Sequence, residues 1–174
     1  MGKALLLYSS REGQTVKILR HIENELKETY QCALMDLHDM PEINFHNYNK
    51  IMIGASVRYG HFNKKLYQFI DINLAALIAV KSVFFCVNLM ARKPEKDRPE
   101  TNMYMKKFLS LSPWQPELLD VFAGALYYPR YKFFDCMMIK LIMGITGGET
   151  DITKEVEYTR WDRVKQLSER FGSL

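Results

Sequence analysis

The sequence lacks the residue patterns that build disulfide frameworks and metal centres. It has only three cysteines, which are far apart and form no CxxC or Cys/His spacing: Cys32, Cys86 and Cys136. Isolated thiols of this kind argue against a disulfide scaffold or a metal site and favour a reducing compartment. The chain also contains no internal repeat and no low-complexity tract.

Hydrophobic runs long enough to span a membrane are also missing. Residues 74–91 are divided by Lys81 and interrupted by Asn88, which fits a helix end followed by a buried strand. Residues 133–146 contain one acidic and one basic residue and are shorter than the roughly 20 residues that a span requires. The N-terminal apolar run is too short for a signal peptide. We therefore predict no spanning helix and no leader.

Charge of neither sign dominates. The 174 residues include 24 Lys and Arg against 20 Asp and Glu, a net charge of +4, and 48% of them are hydrophobic. This composition supports a sizeable core, argues against global disorder and suits a single domain spanning residues 1–174. The small charge, without clustered basic and aromatic residues, argues against a nucleic-acid partner.

Strand-like and helix-like stretches alternate along the chain. The predicted strands are residues 3–9, 32–37, 50–57, 82–90 and 121–126. The first predicted helix is residues 14–29, with an apolar stripe at Val16, Leu19, Ile22 and Leu26. The second is capped by Asn63 and carries on its core face Leu66, Phe69, Ile70, Leu74, Leu77 and Ile78. The third is residues 102–111, and the last begins with a capping box at Thr159 and Asp162. Apolar strands alternating with helices predict an α/β fold, a parallel sheet with helices on both faces.

The turn after the first strand carries the first candidate site, residues 9–15. It leads directly into a helix, whose free N–H groups and positive dipole end attract anions. Ser10 and Thr15 add hydroxyl donors, and Gly13 allows a phosphate to approach the backbone closely. There is neither a GxGxxG fingerprint nor a P-loop. An ordinary strand-to-helix turn explains this loop, taken alone, equally well.

The same loop resembles the phosphate loop of flavodoxins, which holds the terminal phosphate of FMN. Glu12 departs from the flavodoxin pattern, where a third hydroxyl is usual. Because a carboxylate repels a phosphate, we expect Glu12 to point outward and to contribute only its N–H. The resemblance implies the following cofactor-binding residues in this loop: Ser10, Arg11, Glu12, Gly13, Gln14 and Thr15.

Turns after the third and fourth strands match the positions where flavodoxin-like proteins hold the isoalloxazine ring. The expected ring-binding residues are Ser56, Val57, Tyr59, Gly60, Asn88, Leu89, Ala91 and Gly124. Tyr59 offers an aromatic face for stacking on the flavin. The alternative, equally open, is that Tyr59 packs over its own loop.

Longer motifs narrow the resemblance to one family. Residues 54–61, 87–96, 123–131, 138–143 and 147–151 are similar to the bacterial flavodoxin-like protoporphyrinogen oxidases, and the similarity covers essentially the whole chain. The resemblance implies an FMN enzyme of haem biosynthesis that oxidises protoporphyrinogen IX to protoporphyrin IX and reduces a membrane quinone, menaquinone or ubiquinone. The alternatives are a flavodoxin-type electron carrier, although such carriers are typically acidic, and an NAD(P)H-quinone reductase of the same fold.

The anionic propionates of such a substrate favour a basic rim. The candidates for substrate binding are Arg58, His61, Arg92, Lys93 and Arg130, with Lys96 beside them. Solvated surface side chains are the alternative for each of them. We assign no catalytic acid or base and no metal ligand.

An apolar segment, residues 127–153, is expected as a long insert in the fifth strand, which then resumes at residues 155–159. Its helix, to about Ile145, has one apolar face made of Phe134, Met137, Met138, Leu141, Ile142 and Ile145, and further apolar residues opposite at Phe133, Ile139 and Met143. Apolar surplus flanked by lysines suits a membrane surface. We therefore expect residues 127–146 to dock peripherally on the cytoplasmic side of the inner membrane or on a protein partner. Packing against the sheet and a homo-oligomer are left open.

Overall fold

The computed structural model describes all residues, 1–174, as a five-stranded parallel sheet flanked by helices, with a small two-stranded sheet beside it. The strands are β1 Gly2–Ser9, β2 Tyr30–Asp36, β3 Lys50–Ser56, β4 Lys81–Asn88, β5 Leu118–Ala123, β6 Ala125–Tyr127 and β7 Glu155–Glu157. The helices are α1 Gln14–Leu26, α2 Lys64–Ile72, α3 Leu74–Ala79, α4 Met103–Leu111, α5 Phe133–Thr146 and α6 Trp161–Ser173. The order of the main sheet is β2-β1-β3-β4-β5, and all of its pairs are parallel.

Side chains alternate between the two faces of the main sheet, so that each strand contributes to two hydrophobic clusters. Along β1, Leu5 and Leu7 face the cluster that contains α2, α3 and α4, whereas Ala4 and Leu6 face the cluster that contains α1 and α6. Burial on both faces explains why the strands are nearly continuous apolar runs. The predicted fold class is confirmed.

Two helices differ from the predicted pattern. The stripe of α1 buries Ile18, whereas Val16 is only partly buried. The predicted helix after Asn63 is split at Asn73, whose side-chain amide donates to the Phe69 carbonyl at 2.9 Å and so ends α2. The break turns α3 so that Ile78, expected in the core, is exposed.

The long segment of residues 127–153 follows the fifth strand instead of interrupting it. β5 pairs with β4 as far as Asn88, where β4 ends. The Gly124 N–H still donates to the Asn88 carbonyl at 3.4 Å, and the chain then leaves the main sheet. Residues 125–127 leave the sheet and pair antiparallel with β7. The prediction that the fifth strand resumes at residues 155–159 is therefore wrong, because that segment pairs with β6.

The predicted capping box is also wrong. Helix α6 begins at Trp161, and no side chain caps it. The Thr159 hydroxyl donates to the Ala123 carbonyl at 2.7 Å, at the end of β5. A buried carbonyl at the end of an edge strand needs a donor, and Thr159 provides it.

Helix α5 packs on the rest of the fold through few residues. Ile139 and Met143 are buried against Leu126 and Tyr128 in a separate four-residue cluster. Seven other large apolar side chains of this helix are exposed: Phe133, Phe134, Met137, Met138, Leu141, Ile142 and Ile145. The predicted apolar surplus is confirmed, and the face that packs is the one that contains Ile139 and Met143.

Candidate functional site

A cleft opens at the carboxyl end of the main sheet. The loops after β1 and β3 leave in different directions there, because the strand order reverses between these two strands. Open α/β sheets bind ligands at such switch points. The cleft encloses about 1000 Å³ when the open solvent at its mouth is included.

The structure brings most of the predicted site residues together in this cleft. Those that line it are Ser10, Arg11, Glu12, Gln14, Thr15, Ser56, Val57, Arg58, Tyr59, Gly60, Asn88, Leu89, Arg92 and Gly124. They come from four segments of the chain, each of which follows a strand of the main sheet. Their convergence depends on the parallel arrangement of the strands, which places all carboxyl ends on one edge.

The loop after β1 has the geometry of an anion site. Gly13 precedes α1 with a φ of 90°, and a Cβ built on it would meet nothing within 4 Å. No side chain caps the first turn of α1, so its N–H groups are free for a ligand. The Ser10 hydroxyl accepts a hydrogen bond from the Gly13 N–H at 3.1 Å and keeps its own proton for donation.

Thr15 provides the sharpest indication that this loop holds a ligand. Its hydroxyl is buried and makes no hydrogen bond within the chain, although buried hydroxyls are almost always paired. The Thr15 residue lies in the wall of the cleft, in the first turn of α1. An oxyanion bound to the loop would supply the missing partner, so these residues fit a phosphate group.

Glu12 does not point outward as expected. Its carboxylate accepts a hydrogen bond from the Arg58 guanidinium at 3.0 Å and another from the Tyr131 hydroxyl at 3.0 Å. Burial raises the pKa of the Glu12 carboxyl, and the contacts with Tyr131 and Arg58 partly oppose that change. Pairing with Arg58 offsets the negative charge that would repel a phosphate.

The loop after β3 is a tight hairpin turn. Arg58 and His61 exchange two backbone hydrogen bonds of 2.9 and 3.0 Å, and both central residues have positive φ, 49° at Tyr59 and 79° at Gly60. Turns of this kind suit two-residue hairpins. The Tyr59 ring lies under the Arg58 guanidinium at 5.1 Å and also lines the cleft. Tyr59 thus packs on its own loop, as one interpretation has it, and also lines the cleft, as stacking on a flavin would require.

The Tyr59 hydroxyl and the Arg58 guanidinium both donate to Asp135, at the start of α5. Two hydrogen bonds lower the pKa of the Asp135 carboxyl. The one from Tyr59 has the larger effect, and the one from Arg58 has the next largest. Asp135 is thus an anion that is held between two donors. Arg58 in turn joins two carboxylates, Glu12 and Asp135.

The loop after β4 is held by side-chain amides. The Asn88 side-chain oxygen accepts from the Ala91 N–H at 3.0 Å, and Asn88 also pairs with the buried Asn102. Arg92 donates to the Leu89 carbonyl at 2.7 Å and to the Thr146 carbonyl at 2.9 Å. Arg92 therefore binds the last turn of α5, and its donors are not directed toward solvent for a substrate.

Five predicted site residues do not line the cleft. Gly13 shapes its loop without facing it, and Ala91 is buried beneath the loop after β4. His61 contacts Lys107 at 3.2 Å, and Lys93 lines a shallow depression on the far side of Arg92. Arg130 forms a two-pronged ion pair with Glu155 of β7 at 2.7 and 2.9 Å. His61, Lys93 and Arg130 therefore do not form the basic rim of the cleft that was expected.

Sequence reasoning missed several residues of the cleft. They are Val87, Met90, Tyr104, Ala125, Tyr131, Ile139, Ile142, Met143 and Thr146. Four of them belong to α5, which forms one wall. Their spacing of three or four residues was a usable signal of one helical face. It could not indicate that this face turns toward the cleft.

No helix combines the length and the apolar character that crossing a membrane requires. The structure also contains no cluster of three or more histidine, cysteine, aspartate and glutamate side chains that could hold a metal ion.

The parallel α/β sheet and the cleft at the carboxyl ends of its strands are those of a flavodoxin-like protein, and comparisons with known proteins agree with this class. The family model described as "Flavodoxin domain" matches residues 5–153, so the chain belongs to the flavodoxin family. Two solved structures share the fold at low identity. A short-chain flavodoxin associated with a bacterial microcompartment has 12% identity and a TM-score of 0.52, with 99% of this chain and 98% of that one covered. The rubredoxin oxygen:oxidoreductase from Desulfovibrio gigas has 8% identity and a TM-score of 0.50, with 99% of this chain and 36% of that one covered.

Curated relatives narrow the class to a particular family. A protoporphyrinogen IX dehydrogenase [quinone] from Escherichia coli (strain K12) is 45% identical over 173 residues, which cover 99% of this chain and 96% of that one. A protein of the same name from Leishmania major is 44% identical over 174 residues, with 99% of this chain and 75% of that one covered. The chain belongs to the family of the quinone-dependent protoporphyrinogen IX dehydrogenases.

Proposed function

We propose that this chain is an FMN-dependent oxidoreductase of haem biosynthesis, which oxidises protoporphyrinogen IX to protoporphyrin IX and passes the electrons to a quinone. The observation that carries the proposal is the 45% identity, over almost the full length of both chains, to a protein that is named for this activity. The cleft supports it independently, because it combines an anion loop with a wall of apolar side chains.

The chain's residues fit FMN at two ends of the cleft. Ser10, Thr15 and the free N–H groups of α1 would hold the phosphate, and the orphaned Thr15 hydroxyl is the structural mark of that role. Tyr59 and Leu89 would flank the ring from the loops after β3 and β4. Bound FMN supplies two-electron redox chemistry, and three such oxidations remove the six hydrogens of a porphyrinogen.

The rest of the cleft would orient the substrate and exclude water. Ile139, Ile142 and Met143 of α5 present apolar surface to a macrocycle. The terminal nitrogens of Arg58 already bind carboxylates, and those of Arg92 already bind carbonyls. Arg11, which lines the cleft and forms no ion pair, is better placed to attract a propionate.

The test is an anaerobic assay of the purified protein reconstituted with FMN. Porphyrin fluorescence should rise from protoporphyrinogen IX when menaquinone or ubiquinone is present and should stay low without an acceptor. A rate of porphyrin formation that is the same with and without the quinone would contradict the proposal. Rapid reduction of the bound flavin by NADPH would instead favour a reductase, and the absence of any porphyrin product would favour an electron carrier.

We further propose that α5 docks on the cytoplasmic surface of the membrane that holds the quinone. Seven of the 14 exposed large hydrophobic side chains of the chain lie on this one helix. Lys132 and Lys140 are exposed beside them and form no ion pair. Basic residues next to an apolar helix face suit anionic headgroups, and a quinone dissolved in the bilayer would then meet the cleft that α5 lines.

Flotation with anionic vesicles tests the docking. Ile145 is 78% exposed on α5, and Ile78 is 67% exposed on α3, so Ile145→Asp and Ile78→Asp are a matched pair. We expect Ile145→Asp to lose vesicle binding and Ile78→Asp to keep it. Equal binding of both variants would contradict docking through α5. Gel filtration decides the alternative occupant, because a second copy on this face would give a dimer that Ile145→Asp disrupts.

A further inference from the structure

Helix α5 forms a wall of the cleft although little hydrophobic packing holds it there. Of its 14 residues, only Ile139 and Met143 are buried. The main sheet contributes none of the buried partners of this helix, which are Leu126 of β6 and Tyr128. The position of α5 relative to the sheet must therefore depend on other contacts.

Polar contacts hold the first turn of α5. The Asp135 carboxylate accepts from the Arg58 guanidinium at 2.7 Å and from the Tyr59 hydroxyl. Arg58 also binds Glu12, in the loop after β1, at 3.0 Å, and the Tyr131 hydroxyl donates to the other oxygen of Glu12. We call these five residues the cleft clasp. It joins the loops after β1 and β3 to the segment that precedes α5.

A second set of contacts holds the last turn of α5. Arg92, in the loop after β4, donates from one nitrogen to the Thr146 carbonyl at 2.9 Å and to the Thr146 hydroxyl at 3.0 Å. Its other terminal nitrogen donates to the Leu89 carbonyl at 2.7 Å. The loops after β3 and β4 thus each hold one end of α5, the helix that walls the cleft.

We propose that Asp135 is a positioning residue, which sets the width of the substrate-binding part of the cleft by clasping the first turn of α5 to Arg58 and Tyr59. The substrate part of this proposal rests on the proposed function. Arg58 and Arg92 both line the cleft, and each donates from one terminal nitrogen to α5, Arg58 to the Asp135 carboxylate and Arg92 to Thr146. An arginine holds each end of this wall, Arg58 through the Asp135 carboxylate and Arg92 through Thr146. These contacts attach the two ends of α5 to the loops, which the buried apolar contacts of Ile139 and Met143 do not do.

The experiment compares Asp135→Asn with Asp162→Asn in the FMN-loaded protein. Asp162 is a matched control, because it also lies in the first turn of a helix, is exposed, and pairs with an arginine, Arg160, at 3.1 Å. Asp135→Glu keeps the charge and serves as the conservative rescue. The measurements are amide hydrogen exchange by mass spectrometry, the FMN dissociation constant, and kcat and KM for protoporphyrinogen IX.

We expect Asp135→Asn to speed exchange in residues 133–146 at least tenfold and to leave β1 and β3 unchanged. KM should rise at least fivefold while kcat and the FMN dissociation constant stay within about twofold. Asp135→Glu should keep exchange in residues 133–146 and KM close to their values in the unaltered protein. Asp162→Asn should change neither quantity.

Unchanged exchange of residues 133–146 in Asp135→Asn would overturn the clasp. A loss in kcat alone, with KM unchanged, would overturn the positioning role. The exchange and FMN measurements do not depend on porphyrinogen. If the unaltered protein produced no porphyrin, the proposed function would therefore fail while these two measurements still decided the clasp.

Discussion

Replacing Thr15 by valine should change stability and cofactor affinity in opposite directions. The Thr15 hydroxyl is buried without a hydrogen-bond partner in the chain, and an unsatisfied buried polar group costs about 1–3 kcal/mol. Valine keeps the shape and puts a methyl group in place of the hydroxyl. The free energy of unfolding of the FMN-free protein, measured in urea, should therefore rise by about 1 kcal/mol or more.

The same change removes a donor to the phosphate. A hydrogen bond to a charged group is worth about 1.5–3 kcal/mol, which corresponds to a dissociation constant for FMN that is about 10- to 150-fold higher. Titration of the protein against FMN fluorescence measures this change. Thr29→Val is the control at the other end of α1, since the Thr29 hydroxyl donates to the Leu26 carbonyl at 3.1 Å. It should lose about 1 kcal/mol of stability and leave FMN affinity unchanged. A Thr15→Val protein that is less stable and binds FMN normally would refute the assignment.

Three further changes test other parts of the structure. Met143→Ala should destabilise the packing of α5 by about 2–5 kcal/mol, seen as faster hydrogen exchange in residues 133–146, and unchanged exchange there would contradict the packing described. Gly54→Ala should lower stability in urea by about 1–3 kcal/mol, because its Cβ would lie 2.4 Å from a buried phenylalanine ring; a neutral effect would refute that close approach. The hydrogen bonds from Tyr59 and Arg58 lower the pKa of Asp135, so its contribution to stability is present above the ordinary aspartate pKa of about 3.9 and disappears as pH falls through the lower folded value. The protection factors of the amides in α5, which correct for the pH dependence of intrinsic exchange, should be the same at pH 5 and at pH 7, and lower protection at pH 5 would contradict the lowered pKa of Asp135.

Most of the sheet and the phosphate end of the site were predictable because they depend on local patterns. Buried parallel strands require near-continuous apolar residues, and an anion loop requires a glycine and hydroxyls directly before a helix. Gly13 and Thr15 could therefore be named as candidates from the local sequence, although an ordinary strand-to-helix turn explained the loop equally well. The orientation of Glu12 could not be predicted, because it depends on Arg58, which is 46 residues away in the chain.

The errors have the same origin. The end of β5 is decided by the end of its neighbour β4 at Asn88, and the role of Thr159 by the Ala123 carbonyl, to which its hydroxyl donates. Neither is visible in the residues that surround Thr159 in the sequence. Arg130 and Arg92 read as free cations, and only the fold shows that one pairs with β7 and the other with the end of α5.

The sequence by itself determined the alternation of strands and helices, the anion loop after β1 and the surplus of apolar residues on one helix, because periodicity and residue type act over a few neighbouring positions. The tertiary structure decided which face of α5 is buried, and that this helix walls the cleft. It also decided that Arg58 joins two carboxylates across it. These features depend on contacts between segments far apart in the chain, whose distances only the folded sheet defines.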